Sequence, residues 1–219
     1  MAKIGTLLFD KRKPVQGVGT NDADYVVDSK RTKRDENGKI ITLSRWTCPF
    51  YTVWNKMLER GYSEKLKLKQ PSYRDTEVCE EWWLFSNFKT WMSTQPWEGK
   101  QLDKDILFPG NKLYSPDKCV FVPQAVNLFV VERGFHRGEW PIGVHFDKYT
   151  QRFKAECRNP FTDRTENLGR YDTPEEAHQA WLTRKLELAK LIANTLDDKR
   201  VAGALVSSYE NYIDRSISN

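Results

Sequence analysis

Apolar residues recur at helical spacing in two stretches of the first half of the chain. In CPFYTVWNKMLERG they are Tyr51, Trp54 and Leu58. In a later stretch they are Trp82, Phe85, Phe88 and Met92. The spacing predicts one helix that stops at Gly61 and a second over residues 77–93. An aromatic stripe of this kind is typical of a buried core, so we assign these residues no catalytic or binding role.

Alternating apolar and polar residues in the last third of the chain predict three strands, IGVHF, RFKAECR and NLGRY. In the middle strand the apolar positions are Phe153, Ala155 and Cys157. The polar positions between them are Arg152, Lys154, Glu156 and Arg158. Because successive side chains of a strand point to opposite faces, one face suits a covering helix and the other suits phosphates and base edges.

The covering helix is predicted in TPEEAHQAWLTRKLELAKLIA. Thr173 can cap it, Pro174 occupies the first helical position and Glu176 completes a capping box. Its apolar stripe consists of Ala177, Ala180, Trp181, Leu188 and Ile192. A further helix is predicted at about 198–216, with enough apolar residues to dock back or to pair with a second copy in a homodimer.

The amino-terminal residues predict an extended arm or a small sheet, with a hairpin turn at Glu36-Asn37-Gly38 between YVV and KIITL. Gly and Pro in RGFHRGEWPIG predict a junction between two units near 133–141. We therefore divide the chain into four segments: residues 1–45 (basic arm or small sheet), 46–136 (central domain), 137–195 (three strands and a helix) and 196–219 (helical tail).

Composition narrows the class of protein. The 219 residues are 39% hydrophobic, which suffices for real cores. No run of about 18 apolar residues occurs, and MAKIGTLLFDKRK is charged too early for a secretory signal. We expect a cytoplasmic protein with no membrane partner. The four cysteines form no C-x-x-C pair, which indicates buried reduced thiols rather than structural zinc.

Charge is distributed unevenly. The net charge is +5, but residues 1–69 alone hold 15 Lys or Arg against 8 Asp or Glu. Such asymmetry suits a polyanionic partner, through attraction to phosphates and release of counterions.

The carboxy-terminal motifs GVHF, FKAECRNP and LGRYDTPEEAHQAW resemble the Apetala/ethylene-response-factor DNA-binding domain over about residues 141–190. The resemblance implies a three-stranded antiparallel sheet on one helix, whose outer face enters the major groove of double-stranded DNA. By position, the implied DNA-binding residues are His145, Arg152, Lys154, Glu156, Arg158, Asn167 and Arg170. The family usually has an arginine at position 145 and an aromatic residue at 167, so base preference does not transfer.

A strand–turn–strand–helix layout is predicted in LDKDILFPGNKLYSPDKCVFVPQAVN. Asp103 ends the first strand and Asn127 lies one turn into a helix opened by Pro123, a separation that would bring two oxygens together as metal ligands. With CPFYTVWNKMLERGYS and VCEEWWLFSNFKTWM, this stretch resembles phage-encoded His-Asn-His homing-endonuclease-like proteins. The resemblance implies a ββα-metal domain, an infected bacterial host, a Mg²⁺ or Mn²⁺ cofactor and no organic cofactor.

The candidate catalytic residues are Lys104, Asp105 and Asn111. Lys104 stands where the superfamily has its catalytic histidine. A protonated lysine cannot abstract a proton, although it can bind phosphate or stabilise a transition state. His136 is an alternative base, and Asn111 is alternatively a left-handed turn residue.

The expected fold is therefore α+β, with a small ββα-metal domain and flanking helices followed by a three-stranded antiparallel sheet on one helix. Three functions are compatible with it. The first is sequence-directed, metal-dependent cleavage of double-stranded DNA. The second is an inactive nuclease scaffold that binds DNA as a phage regulator or host-interference protein. The third is a protein inhibitor whose aromatic-rich middle is the interface.

Overall fold

The computed structural model describes residues 13–131 and 139–217. The chain is a mixed α+β protein that divides into two compact units, Met1–Phe121 and Val122–Asn219. Among the described helices none has the length and apolar character needed to cross a bilayer.

A two-stranded antiparallel sheet opens the described part of the first unit. It consists of β1 (Asp28–Arg34) and β2 (Ile40–Thr47). In the turn, the Asp35 amide donates to the Lys39 carbonyl at 2.9 Å, which confirms the predicted hairpin. The first strand is DSKRTKR rather than the preceding YVV, because the Cys48 amide donates to the carbonyl of Val27 and closes the hairpin there.

Helices α1 (Pro49–Tyr62), α2 (Glu64–Lys69) and α3 (Phe85–Ser93) follow. The first predicted helix is confirmed as α1, which ends at Tyr62, one residue after the predicted stop at Gly61, and the side chain of Ser63 caps α2. The predicted helix over 77–93 is too long. Its first residues form strand β3 (Glu77–Val78), and a 3₁₀ turn at Glu80–Trp83 precedes α3.

Tertiary hydrogen bonds explain the shorter helix. The Cys79 amide donates to the Tyr114 carbonyl at 2.9 Å, and the Phe85 amide donates to the Thr20 carbonyl at 3.0 Å. Leu84 between them is extended, so a continuous helix cannot form. The aromatic stripe is nevertheless core, as predicted: each of its members is at most 1% exposed, namely Trp82, Phe85, Phe88 and Met92.

The segment from residue 100 to residue 131 contains the layout predicted from the sequence. Strand β4 (Lys100–Asp103) pairs with β6 (Val120–Pro123), and a short strand β5 (Leu113–Tyr114) between them pairs in parallel with β3. Helix α4 (Gln124–Val131) follows directly. Pro123 ends the strand rather than opening the helix, and the division between the two units falls within β6.

The second unit contains the predicted three-stranded antiparallel sheet, in the order β7 (Val144–Asp147), β8 (Arg152–Asn159), β9 (Arg164–Tyr171). Helix α5 (Pro174–Asn194) packs on one face of this sheet, as expected. The capping box is present, with the Thr173 hydroxyl accepting from the Glu176 amide.

Small residues bring the sheet and the helix close together. Ala155 on β8 and Ala177 on α5 are both fully buried. Gly143 has φ +82°, and a Cβ atom there would lie 2.1 Å from the side chain of Trp181. The last helix, α6 (Lys199–Ile217), packs against α5 and buries Leu205, so the carboxy-terminal segment docks on its own unit.

A charged network joins β9 to α5. The guanidinium of Arg184 donates to both carboxylate oxygens of Glu166, at 2.7 and 3.1 Å, and the Asn159 amide donates to the same carboxylate at 2.7 Å. The hydrogen bonds from Arg184, and then that from Asn159, lower the pKa of Glu166 to about 2. The network therefore stabilises the contact between sheet and helix while Glu166 is ionised.

Replacing Glu166 tests this network through its pH dependence. Because the folded-state pKa lies below the ordinary 4.5, the stabilisation is present above that value and is lost as the pH falls towards 2. We expect Glu166→Gln to lower the free energy of unfolding by about 1 kcal/mol at pH 7. Urea denaturation at pH 7 and pH 2.5 should show the difference shrinking at acid pH. Glu36→Gln, at an exposed turn position, is the control and should show no such trend.

Candidate nucleic-acid interface and the loop after strand β4

The outer face of the β7–β9 sheet brings the predicted DNA-binding residues together. Lys154 on β8 lies between His145 on β7 and Arg170 on β9. Glu156 is opposite Asn167 in the next row. The exposed members of the set are His145, Arg152, Arg158, Asn167 and Arg170, and the half-buried members are Lys154 and Glu156. All seven therefore share the surface that α5 leaves uncovered.

Each arginine or lysine of this face is paired with a carboxylate of the same unit. The pairs are Arg152 with Asp172, Lys154 with Glu156, Arg158 with Asp163, and Arg170 with Asp147. The Arg152 Nε–Asp172 Oδ1 and Arg170 Nε–Asp147 Oδ2 distances are both 2.9 Å. His145 Nε2 lies 3.7 Å from Glu156.

Four acidic partners thus balance four basic side chains, so the face is rich in charge without being strongly basic. Residues 122–219 as a whole hold 14 Lys or Arg and 14 Asp or Glu. The hydrogen bond from Arg170 lowers the pKa of Asp147 to about 2, so this carboxylate stays ionised at neutral pH. The carboxylate partners Asp147, Asp163 and Asp172 were not identified from the sequence, because only the strand register brings them to the basic residues.

In the first unit, the loop after β4 is organised by side chains that bond to the backbone. Asp103 Oδ1 accepts from the amides of Asp105 at 3.0 Å and Ile106 at 2.7 Å. Asn111 Nδ2 donates to the carbonyls of Lys104 and Leu113, each at 2.7 Å. Each of these side chains therefore holds the loop closed at one of its ends.

Lys104 lies inside this loop. It is only 6% exposed, and its ammonium donates to the Asn111 carbonyl at 3.0 Å and to Asp105 Oδ2 at 3.1 Å. The ring of Tyr114 lies 5.9 Å from the same nitrogen. These contacts hold Lys104 in a structural position that ties the two ends of the loop together.

Asp103 is a predicted site residue with a raised carboxyl pKa. Burial, and then the nearby charge of Asp105, raise its pKa, against the lowering effect of two backbone hydrogen bonds and Lys104. Arg60 of α1 lies close by and donates to the Tyr114 hydroxyl at 3.2 Å. From the sequence, Arg60 was identified only as a basic residue in the last turn of a helix. Its position beside the loop was not predicted.

The remaining predicted residues lie elsewhere. Asn127 is half-buried on α4 in the second unit, whereas Asp103 belongs to the first, and their role as paired ligands stays a prediction. His136 lies outside the described residues. Asn111 does not take the left-handed conformation, which falls to its neighbour Gly110 at φ +85°.

Within residues 13–131 and 139–217, no three His, Cys, Asp or Glu side chains are grouped so that they could hold a metal ion. The four cysteines are free thiols, three of them buried. No protein-family model, curated protein or solved structure matches the chain.

The structural position of Lys104 can be tested by Lys104→Met. Methionine fills a similar volume but leaves the carbonyl of half-buried Asn111 without its Lys104 donor, so we expect a loss of about 1–3 kcal/mol in the free energy of unfolding. Lys112→Met, at an exposed position of the same loop, should change it by less than about 0.5 kcal/mol. Equal values for the two variants in chemical denaturation would contradict the structural role.

Proposed function

We propose that the protein binds double-stranded DNA through the outer face of the β7–β9 sheet. The supporting observation is the exposure of Arg152, Arg158 and Arg170 on one face of an antiparallel sheet whose other face is closed by α5. A face backed by a packed helix is rigid, so its side chains can be presented in fixed register to a regular ligand. B-form DNA is such a ligand.

The dimensions of the sheet suit the major groove. Strands lie about 4.8 Å apart, so the axes of the outer two are separated by about 10 Å. The groove is about 12 Å wide and admits β-strands, and arginine makes paired hydrogen bonds to guanine there. Sequence-directed contacts are therefore within reach of the long side chains of β8.

The ion pairs on this face do not prevent binding. The exposed pairs, Arg152 with Asp172 and Arg158 with Asp163, contribute only about 0–1 kcal/mol each, so exchanging their carboxylates for phosphates costs little. Each phosphate contact also releases a condensed counterion, which favours the exchange at low salt. In the absence of DNA, Asp147 and Asp172 hold the guanidinium groups of Arg170 and Arg152 in place.

Charge reversal on the sheet tests the proposal. We expect Arg152→Glu with Arg158→Glu to weaken binding of duplex oligonucleotides about 100-fold and to reduce the slope of log K against log salt by about two. Fluorescence anisotropy at several salt concentrations measures both quantities.

The matched control is Lys190→Glu with Arg200→Glu, which makes the same change in net charge on α5 and α6. Both control positions are exposed. Loss of affinity in the sheet variant alone supports the proposal. Unchanged affinity in the sheet variant, or equal losses in the two, would contradict it.

Cleavage of DNA is the second candidate function. It is favoured by the neighbouring carboxylates of Asp103 and Asp105, because the raised pKa of Asp103 is a condition that a bound cation would relieve. Mg²⁺ sites are often built from one or two carboxylates with water, so the two side chains fit that ion. A divalent cation held there would polarise a phosphodiester.

Nicking of supercoiled plasmid in Mn²⁺ or Mg²⁺ checks this second function. We expect Asp103→Asn, which keeps an acceptor for the two loop amides, to reduce nicking at least about 100-fold while DNA binding is retained. Arg152→Glu with Arg158→Glu should instead lower binding and cleavage together. Wild-type protein that nicks no faster than Asp103→Asn removes the claim.

A further inference from the structure

A second surface in the described chain has the physical character of a polyanion-binding element. It is the β1–β2 ribbon, residues 28–47, in the first unit. Every residue of β1 and six of the eight residues of β2 are exposed. The ribbon therefore has two uncovered faces, unlike the β7–β9 sheet, where one face is closed by a helix.

The ribbon exposes large apolar side chains as well. Ile40 is 57% exposed, Leu43 55% and Trp46 52%. Leu43 is the extra residue at the bulge, since Arg31 is opposite Ser44 and Thr32 is opposite Thr42. Isolated two-stranded ribbons are marginally stable in water, and uncovered aromatic and aliphatic groups favour a bound partner.

The register separates the two faces. Ser29, Arg31 and Lys33 alternate with their neighbours and therefore share one face. Their partners across the ribbon are Trp46, Ser44 and Ile41, respectively. We call these six residues the Trp46 face. It carries two cations, an aromatic ring and no carboxylate.

The cations of the ribbon, on the Trp46 face and beside it, differ from those of the sheet because they have no acidic partner among the described residues. Within the described ranges, no carboxylate lies within ion-pair distance of Lys30, Arg31, Lys33 or Lys39. The carboxylate of Asp28 is occupied by Arg45 at 2.8 Å, and that of Asp35 accepts the amides of the turn. These cations are therefore available to an external anion such as a phosphate.

We propose that the β1–β2 ribbon is a second binding element for duplex DNA, with the Trp46 face turned to a groove and the lysines and arginines on the phosphates. A two-stranded ribbon fits the major groove, and apolar side chains can contact sugars, thymine methyls or base steps. Unpaired cations disfavour a second copy of the chain as the partner, because like charges would meet. This surface belongs to the first unit and the sheet to the second, so the two proposals can be tested independently.

The test uses the 219-residue chain and three pairs of substitutions in the same unit. Arg31→Glu with Lys33→Glu alters the Trp46 face, and Lys65→Glu with Lys69→Glu makes the same charge change at exposed positions of α2. We expect the ribbon pair to weaken duplex binding about tenfold or more and to lower the salt slope by about two. The α2 pair should change affinity less than about threefold. Arg31→Gln with Lys33→Gln, a milder change, should act in the same direction.

Combining the ribbon pair with Arg152→Glu and Arg158→Glu separates the two proposals. A ribbon effect that persists in a protein already weakened at the sheet supports the ribbon whatever the sheet contributes. A ribbon pair that behaves like the α2 pair in both backgrounds overturns it and leaves the sheet proposal standing. Binding to anionic phospholipid vesicles instead of DNA, or a dimer abolished by the ribbon pair, also overturns it.

Trp46→Ala tests the apolar half of the proposal. The substitution should weaken duplex binding about tenfold with the salt slope unchanged, because the contact is not ionic. Leu68→Ala, at a position 83% exposed in α2, should leave the affinity unchanged. Equal affinities for the two variants would remove Trp46 from the interface.

Discussion

A strand sends successive side chains to opposite faces, and the character of each β surface in this protein depends on what covers the other side. In β8, Ala155 and Cys157 are closed off by α5, so the residues between them must face outward. In the ribbon nothing described covers either face, so cations and Trp46 are exposed together. One geometric rule thus produces a backed, rigid surface in one unit and a two-sided ribbon in the other.

Charge pairing then distinguishes the two surfaces. On the sheet, Arg170 and Arg152 each have a carboxylate oxygen at 2.9 Å. These arginines therefore provide oriented hydrogen-bond donors but add little net positive potential to the surface. On the ribbon, no carboxylate of the described residues lies within ion-pair distance of Lys30, Arg31 or Lys33. Long-range attraction to DNA is therefore expected from the ribbon, and register-dependent contacts from the sheet. The excess positive charge of the first unit agrees with this division.

In the loop after β4, residues predicted from the sequence as catalytic make hydrogen bonds that organise the loop. Lys104 follows Asp103, and its ammonium donates to the Asn111 carbonyl and to Asp105 Oδ2. Burial and repulsion from Asp105 raise the pKa of the neighbouring Asp103, and a bound cation would offset both effects.

The sequence by itself determined what depends on neighbours along the chain: the hairpin turn, the capping box at Thr173, the alternation in β8 and the aromatic core. These features follow from short-range hydrogen bonding and from periodicity, both of which depend on residues close together in the sequence. Only the tertiary structure decided where α3 begins and which carboxylate meets Arg170. It also decided that Lys104 is buried, because each of these outcomes requires a partner distant in the chain or a fold that closes around the side chain.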